Sequence, residues 1–228
     1  MTNTEHARSF RAWGAFVAAA ILACALLLAG CSGQSASSSS AASGTGSANG
    51  TGTHHAVLEV EGYEPVTIEL DGDAAPQTVD NFMELANEGY YDGKTFYRIV
   101  DDFCLQGGTL GNNASGNDPS LDAIKGEFST NGVDNPLADA FDRGVVAMAR
   151  TSMPDSATST FFVTLGSASQ VGPSLDGQYA AFGTIDADGM KVIDQIVEDY
   201  LPNVDEPNMG AITDEAAQPV IKSITITD

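Results

Sequence analysis

The chain of 228 residues holds one tryptophan, three cysteines, three histidines and nine basic residues, and each scarcity excludes something. Nine Lys and Arg stand against 31 Asp and Glu, a formal net charge of −22. So acidic a surface repels phosphate backbones, which removes nucleic acid as a partner, and it repels anionic lipid as well. Beyond residue 30 the only histidines are His54 and His55, which lie side by side at the edge of a low-complexity stretch. A Ser-His-Asp or Cys-His nucleophile needs a histidine in a structured cleft, and a zinc site needs more nitrogen and sulfur ligands than remain, so no metal is expected. The run Gly107-Gly108-Thr109-Leu110-Gly111 lacks the lysine and the spacing of a phosphate loop. Asp186, Asp188 and Gly189 form a fragment of a calcium loop without its distal Glu, and read as a helix cap. One long apolar run exists, residues 15–30, and its 16 residues fall short of the ~20 that span a bilayer.

What is present begins with that run. Arg8 and Arg11 precede it and small residues end it, the pattern of a secretory signal. The ending Leu28-Ala29-Gly30-Cys31 resembles the lipobox of bacterial lipoproteins, a resemblance that implies cleavage before Cys31 and a lipid on its thiol. Cys24 then leaves with residues 1–30, Cys31 is acylated, and Cys104 remains alone, so no intramolecular disulfide is possible. The sole tryptophan, Trp13, leaves too. Residues 31–54 are the lipidated cysteine and a Ser, Ala, Gly and Thr linker that buries too little apolar area to order itself. After removal of residues 1–30, seven basic residues face 30 acidic ones, scattered as a solvated surface. The expected location is extracytoplasmic, with membrane contact through the lipid alone.

Residues 55–228 read as one domain. Val57, Val66, Ile68 and Leu70 alternate about the turn Gly62-Tyr63-Glu64-Pro65, a hairpin signal. Pro76 opens a helix that Gly89 closes, with Val79, Phe82, Leu85 and Ala86 on one face. A second helix is expected over 189–200, capped by Asp188, with Met190, Ile193, Ile196 and Val197 inward. Short strands are expected at 96–100, 103–106, 145–149, 161–165, 180–184 and 220–227. Many short strands with two helices indicate a mainly β barrel or sandwich. Residues 110–128 give no assignable element.

On spacing alone, Phe96, Phe161 and Phe182 are core, as are Phe103 and Phe162; Cys104 is a small buried hydrophobe, and Arg98 is a salt-bridge partner in an acidic chain. The order of segments says more. Phe96-Tyr97-Arg98-Ile99-Val100, Phe103-Cys104-Leu105-Gln106-Gly107-Gly108, Met148-Ala149-Arg150-Thr151, Ser159-Thr160-Phe161-Phe162-Val163, Leu175-Asp176-Gly177 and Phe182-Gly183 together resemble the cyclophilin family of peptidyl-prolyl cis/trans isomerases, in its bacterial secreted branch. The resemblance runs from about residue 55 to 227. It implies a closed eight-stranded antiparallel β-barrel capped by two α-helices, with the active site on the outer face. It makes Arg98 the catalytic arginine and Gln106 its orienting partner. It sets Phe103, Cys104, Phe162 and Leu175 around a proline pocket, with Tyr179 beside them, and makes Ala149 and Arg150 the edge that pairs with substrate backbone. Thr160 stands where the family has a glutamine, a shorter side chain that forgoes one hydrogen bond to substrate.

The implied activity is isomerisation of X-Pro bonds in exported polypeptides, without metal, cofactor or proton transfer; a monomer is expected because the sequence shows no second apolar surface. Two alternatives use the same scaffold. One is a proline-peptide binding module or holdase with vestigial catalysis, motivated by Thr160. The other is a surface adhesin that uses the barrel for display.

Overall fold

A computed structural model describes residues 50–114 and 118–228. The signal segment, the lipidation site Cys31 and the linker up to residue 49 lie outside the described residues, as do residues 115–117. In chain order the elements are β1 Thr53–Val60, β2 Val66–Asp71, α1 Pro76–Asn87, β3 Phe96–Val100, β4 Cys104–Gly107, β5 Val145–Met148, β6 Phe161–Thr164, α2 Ala168–Leu175, β7 Ala181–Ile185, α3 Ala187–Tyr200 and β8 Ile221–Ile226. β1 starts two residues inside the segment expected to be linker. His54 and His55 are therefore strand residues opposite Leu70 and Glu69, and the His55 ring binds the Asp228 carboxylate at 2.9 Å.

The eight strands form one antiparallel sheet in the order β3-β4-β6-β5-β7-β2-β1-β8. This corrects the expectation of a closed barrel: the sheet is curled but open. No ladder joins the edge strands β3 and β8. Their ends meet through one isolated bridge, Thr95 with Val220, flanked by main-chain bonds from Phe96 N to Pro219 O and from Ile221 N to Lys94 O. Among the described residues there are also three α-helices rather than two. α2 begins with a capping box, Ser167 with Gln170, and carries Pro173 inside its eight residues.

Alternation puts Ala56, Leu58 and Val60 of β1 and Val66, Ile68 and Leu70 of β2 on the concave face, and all six are buried. They join the apolar faces of α1 and α3 in one core. At its centre the Phe82 ring lies 5.0 Å from Phe182, 5.3 Å from Tyr91 and 5.6 Å from Phe161. The Gly107-Gly108 pair serves this packing: a Cβ on Gly108 would lie 2.9 Å from the Phe161 ring. α3 starts at Ala187, earlier than expected, because Asp186 rather than Asp188 is its cap, accepting from the amides of Asp188 and Gly189.

The stretch without a sequence assignment is held by two buried carboxylates. Asp118 accepts from the Tyr90 hydroxyl at 2.8 Å. Glu127, 3% exposed, accepts from the amides of Gln77 and Thr78 and from the Thr78 hydroxyl, which satisfies the free N–H groups at the start of α1.

On the convex face a second apolar cluster forms. Cys104, Val145, Ala147 and Phe162 point outward and are covered by Phe128, Ala138, Phe141, Val171, Leu175 and Ala180. The candidate site lies at the margin of this outer cluster.

Candidate active site

β3 aims Arg98 outward by means of a bulge. Phe96 pairs with Gly107 and Arg98 with Gln106, so two steps on β3 match one on β4. Simple alternation would send Phe96 and Arg98 to one face. The extra residue, Tyr97, lets Phe96 and Ile99 both enter the inner core while Arg98 emerges half-buried on the outer face.

Arg98 is then held by three uncharged acceptors. Its Nε donates to the Met209 carbonyl at 2.8 Å; Nη1 donates to Gln106 Oε1 and to Cys104 Sγ, each at 3.0 Å. The Gln106 amide in turn donates to the Tyr97 hydroxyl, which fixes the direction of its oxygen. Burial raises the Tyr97 pKa above the usual phenol value, against the pull of Arg98 and Gln106, so the ring stays neutral. Burial also pushes the Cys104 thiol up to about 11, with Arg98 opposing. Cys104 is thus a protonated wall at neutral pH and not a nucleophile. Among the described residues Arg98 makes no ion pair, so the sequence expectation of a salt-bridge partner is not met.

Beside the guanidinium is a pocket of about 110 Å³ lined by Arg98, Phe103, Cys104, Gln106, Ala149, Arg150, Phe162, Leu175 and Tyr179. All nine were expected site residues. Phe162 forms its floor, stacked on Phe141 and edge-on to Tyr179 at 5.6 Å. Arg150 closes one side: its guanidinium lies 4.7 Å from the Tyr179 ring centre and 5.2 Å from that of Phe128, and Nε donates to Gln178 O. Thr160, the tenth expected residue, lies outside this pocket in an adjoining groove of about 350 Å³. Tyr97, Ala114, Thr151, Asn208, Met209 and Ala211 line that groove with it, and Arg98, Gln106, Ala149 and Arg150 are common to both. The Ala149 amide is taken by Thr160 O at 2.8 Å; its carbonyl and the Arg150 amide have no partner among the described residues and offer an edge for an extended chain.

Neither cavity has an Asp or Glu in its lining. In a chain with 31 carboxylates, the groove carries two arginines and no acid. Among the described residues no three His, Cys, Asp or Glu side chains are grouped to hold a metal ion. Three contributors were not found from sequence. Met209 acts through a backbone carbonyl, which no side-chain motif reports; Tyr97 lies inside the quoted β3 motif but has no role assigned there; and Phe128 falls in the stretch without an assignment.

A family model described as cyclophilin-type peptidyl-prolyl cis-trans isomerase/CLD matches residues 55–226. A peptidyl-prolyl cis-trans isomerase of Acinetobacter baylyi is 36% identical over 156 residues, 68% of this chain and 76% of that protein. Peptidyl-prolyl cis-trans isomerase B of Escherichia coli is 36% identical over 141 residues, 58% of this chain and 77% of the relative. The fold is similar to that of a cyclophilin-type isomerase of Cryptosporidium parvum, with a TM-score of 0.63 at 23% identity over 78% of this chain and 99% of that one. A second crystal structure of the Cryptosporidium protein, in the presence of the dipeptide Ala-Pro, gives a TM-score of 0.59 at 23% identity, over 76% of this chain and 99% of that one.

Proposed function

This chain belongs to the cyclophilin-type peptidyl-prolyl cis-trans isomerases and is an enzyme of that class, and from that premise we propose that it twists X-Pro bonds of exported polypeptides in the Arg98 groove while a lipid on Cys31 holds it to a membrane. An X-Pro bond is nearly balanced between its isomers yet crosses a barrier of ~18–20 kcal/mol, because rotation sacrifices amide resonance. In the twisted state the prolyl nitrogen regains a lone pair. A permanently charged guanidinium donates to that nitrogen, an acceptor that hardly exists in the planar amide, so the bond strengthens toward the transition state. A charge-assisted bond contributes about 1.5–3 kcal/mol, roughly one to two decades of rate.

The observation that carries this reading is the setting of Arg98: fixed by three neutral acceptors, beside a pocket the size of one ring, in a groove without a carboxylate. A carboxylate partner would compete for the donor and cancel its charge. The pocket of Phe103, Phe162 and Leu175 suits a proline ring, and the free edge at Ala149 and Arg150 suits the chain that precedes it. The ligand class proposed for these features is an X-Pro segment, of the kind represented by the Ala-Pro dipeptide present with the Cryptosporidium protein. The protein should accelerate the proline-limited phase of refolding of a substrate protein; an unaltered phase at stoichiometric enzyme would refute the role.

The anchored location is supported by Arg8, Arg11, the 16-residue apolar run and Leu28-Ala29-Gly30-Cys31. Mass spectrometry of the cell-derived protein should find Cys31 as first residue carrying a diacylglyceryl group. A different first residue without lipid would refute the anchor. The proposed working form is a monomer.

A further inference from the structure

We propose that the turn at residues 206–210 is a positioning element for Arg98, acting through the main-chain carbonyl of Met209. The inference rests on the reading of Arg98 as the catalytic group and extends it to a residue that no motif marks.

The turn is built to present one carbonyl. Residues Glu206–Asn208 form a single 3-10 turn, and Met209 follows in the left-handed conformation at φ 59 and ψ 33. Side chains other than Gly, Asn and Asp take that conformation seldom, so the chain holds Met209 there against its preference. What holds it is stitching on both sides. Met209 N donates to Glu206 O, Ala211 N to Asn208 O and Asp205 N to Ala211 O. The turn is also sewn along β3: Ile99 N donates to Gly210 O at 2.9 Å, Ile212 N to Tyr97 O at 2.8 Å, and Ala211 bridges Arg98. Gly210, at φ +85, has no room for a side chain, since a Cβ would lie 2.3 Å from Ile99 O. Residues 97–99 and 209–212 are thereby locked in register, with Met209 O 2.8 Å from Arg98 Nε.

The consequence is mechanical. Bonds at Nε and at Nη1 fix a planar guanidinium at two separate points, so its plane cannot swing. Among the described residues Nη2 has no partner and is the donor left for substrate. Without the Met209 carbonyl the group is held through Nη1 alone and turns about it. Such looseness lowers the bond made in the twisted state more than the binding of the planar substrate, so it acts on kcat rather than KM.

The test uses the full chain, cis/trans exchange of an Ala-Pro peptide by NMR, and the Nε–H resonance of Arg98. Met209→Val puts a β-branched residue where left-handed backbone is least tolerated, and should lower kcat about fivefold with KM changed less than about twofold. The same variant should speed solvent exchange of the Arg98 Nε–H. Met209→Asn, which tolerates the left-handed conformation, should recover most of both losses. An Nε–H unmoved in Met209→Val, or a Met209→Asn protein as impaired as Met209→Val, would overturn the proposal, the second result assigning the effect to the exposed thioether instead. Should Arg98→Ala retain full activity, the catalytic reading falls, while the Nε–H exchange still reports whether the turn grips the guanidinium.

Discussion

Phe161 and Phe162 are neighbours in β6 and belong to different cores. Phe161 points into the concave face, edge-on to Phe82, Tyr91 and Phe96, among side chains supplied almost wholly by strands and helices. Phe162 points to the convex face, against Phe141 and Tyr179, under irregular chain at 128–141 and 175–180. That cover is fastened by polar bonds. Asn135 donates to Glu127 O and Ala181 O, and Phe141 N donates to Asp176 Oδ1. The inner cluster fills the concave face beneath α1 and α3, whereas the outer one stops short and leaves a pocket. Under the proposed function, the difference divides stability from chemistry between the two faces of the sheet.

The sharpest way to break this division is to truncate each phenylalanine in turn. Phe161→Ala should cost about 3–5 kcal/mol of unfolding free energy in urea titrations, the range for a large buried aromatic. Phe162→Ala should cost about 2–3 kcal/mol, since its cavity opens to water, and lower kcat/KM more than about tenfold. Equal unfolding costs with equal activity losses would abolish the distinction.

A smaller effect concerns the thiol in the outer cluster. Cys104, 1% exposed, has its pKa raised by burial from 9.0 to about 11. The folded state binds more protons than the unfolded one between these values, so stability is full below pH 9 and falls as pH rises toward 11. The loss from this group is about 2–3 kcal/mol. Tyr90, which burial pushes up to about 12, and Tyr97 add to the alkaline decline. Cys104→Ala should therefore make the decline between pH 9 and 11 shallower without removing it; an unchanged slope in thermal melts would show that the thiol does not titrate there.

The smallest effect is at Thr160. Replacing it by Gln restores an amide at the groove and should raise kcat/KM several-fold, about 1 kcal/mol of added transition-state binding, with unfolding unchanged. No gain would show that the groove does not use that position.

The inner core was legible in the sequence because its periods are local. Val66, Ile68 and Leu70 alternate, and Val79, Phe82, Leu85 and Ala86 make a helical stripe between Pro76 and Gly89, so β2 and α1 were found nearly to the residue. α2 escapes a reading of the sequence because Gly172 and Pro173 interrupt a short helix among serines; its capping box of Ser167 with Gln170 emerges only in the structure. The open seam was missed because it depends on how far β3 and β8 extend, which no residue type records. Of the site, the nine pocket residues come from a resemblance of motifs, whereas spacing alone places Phe103, Phe162 and Cys104 in the core. The bulge at Tyr97 was invisible because a single unpaired residue leaves the strand's composition unchanged. Glu127 and Met209 escaped for another reason: one caps a helix 49 residues away and the other offers only its backbone.

The role of Arg98 is most directly tested by measuring, on one Ala-Pro peptide, both the cis/trans exchange rate and the dissociation constant for the parent protein and for Arg98→Ala. The exchange rate should fall about 10- to 100-fold in the variant, while the dissociation constant stays within about twofold. An exchange rate equal to the parent's, or a loss carried entirely by weaker binding, would contradict a guanidinium that acts on the twisted bond.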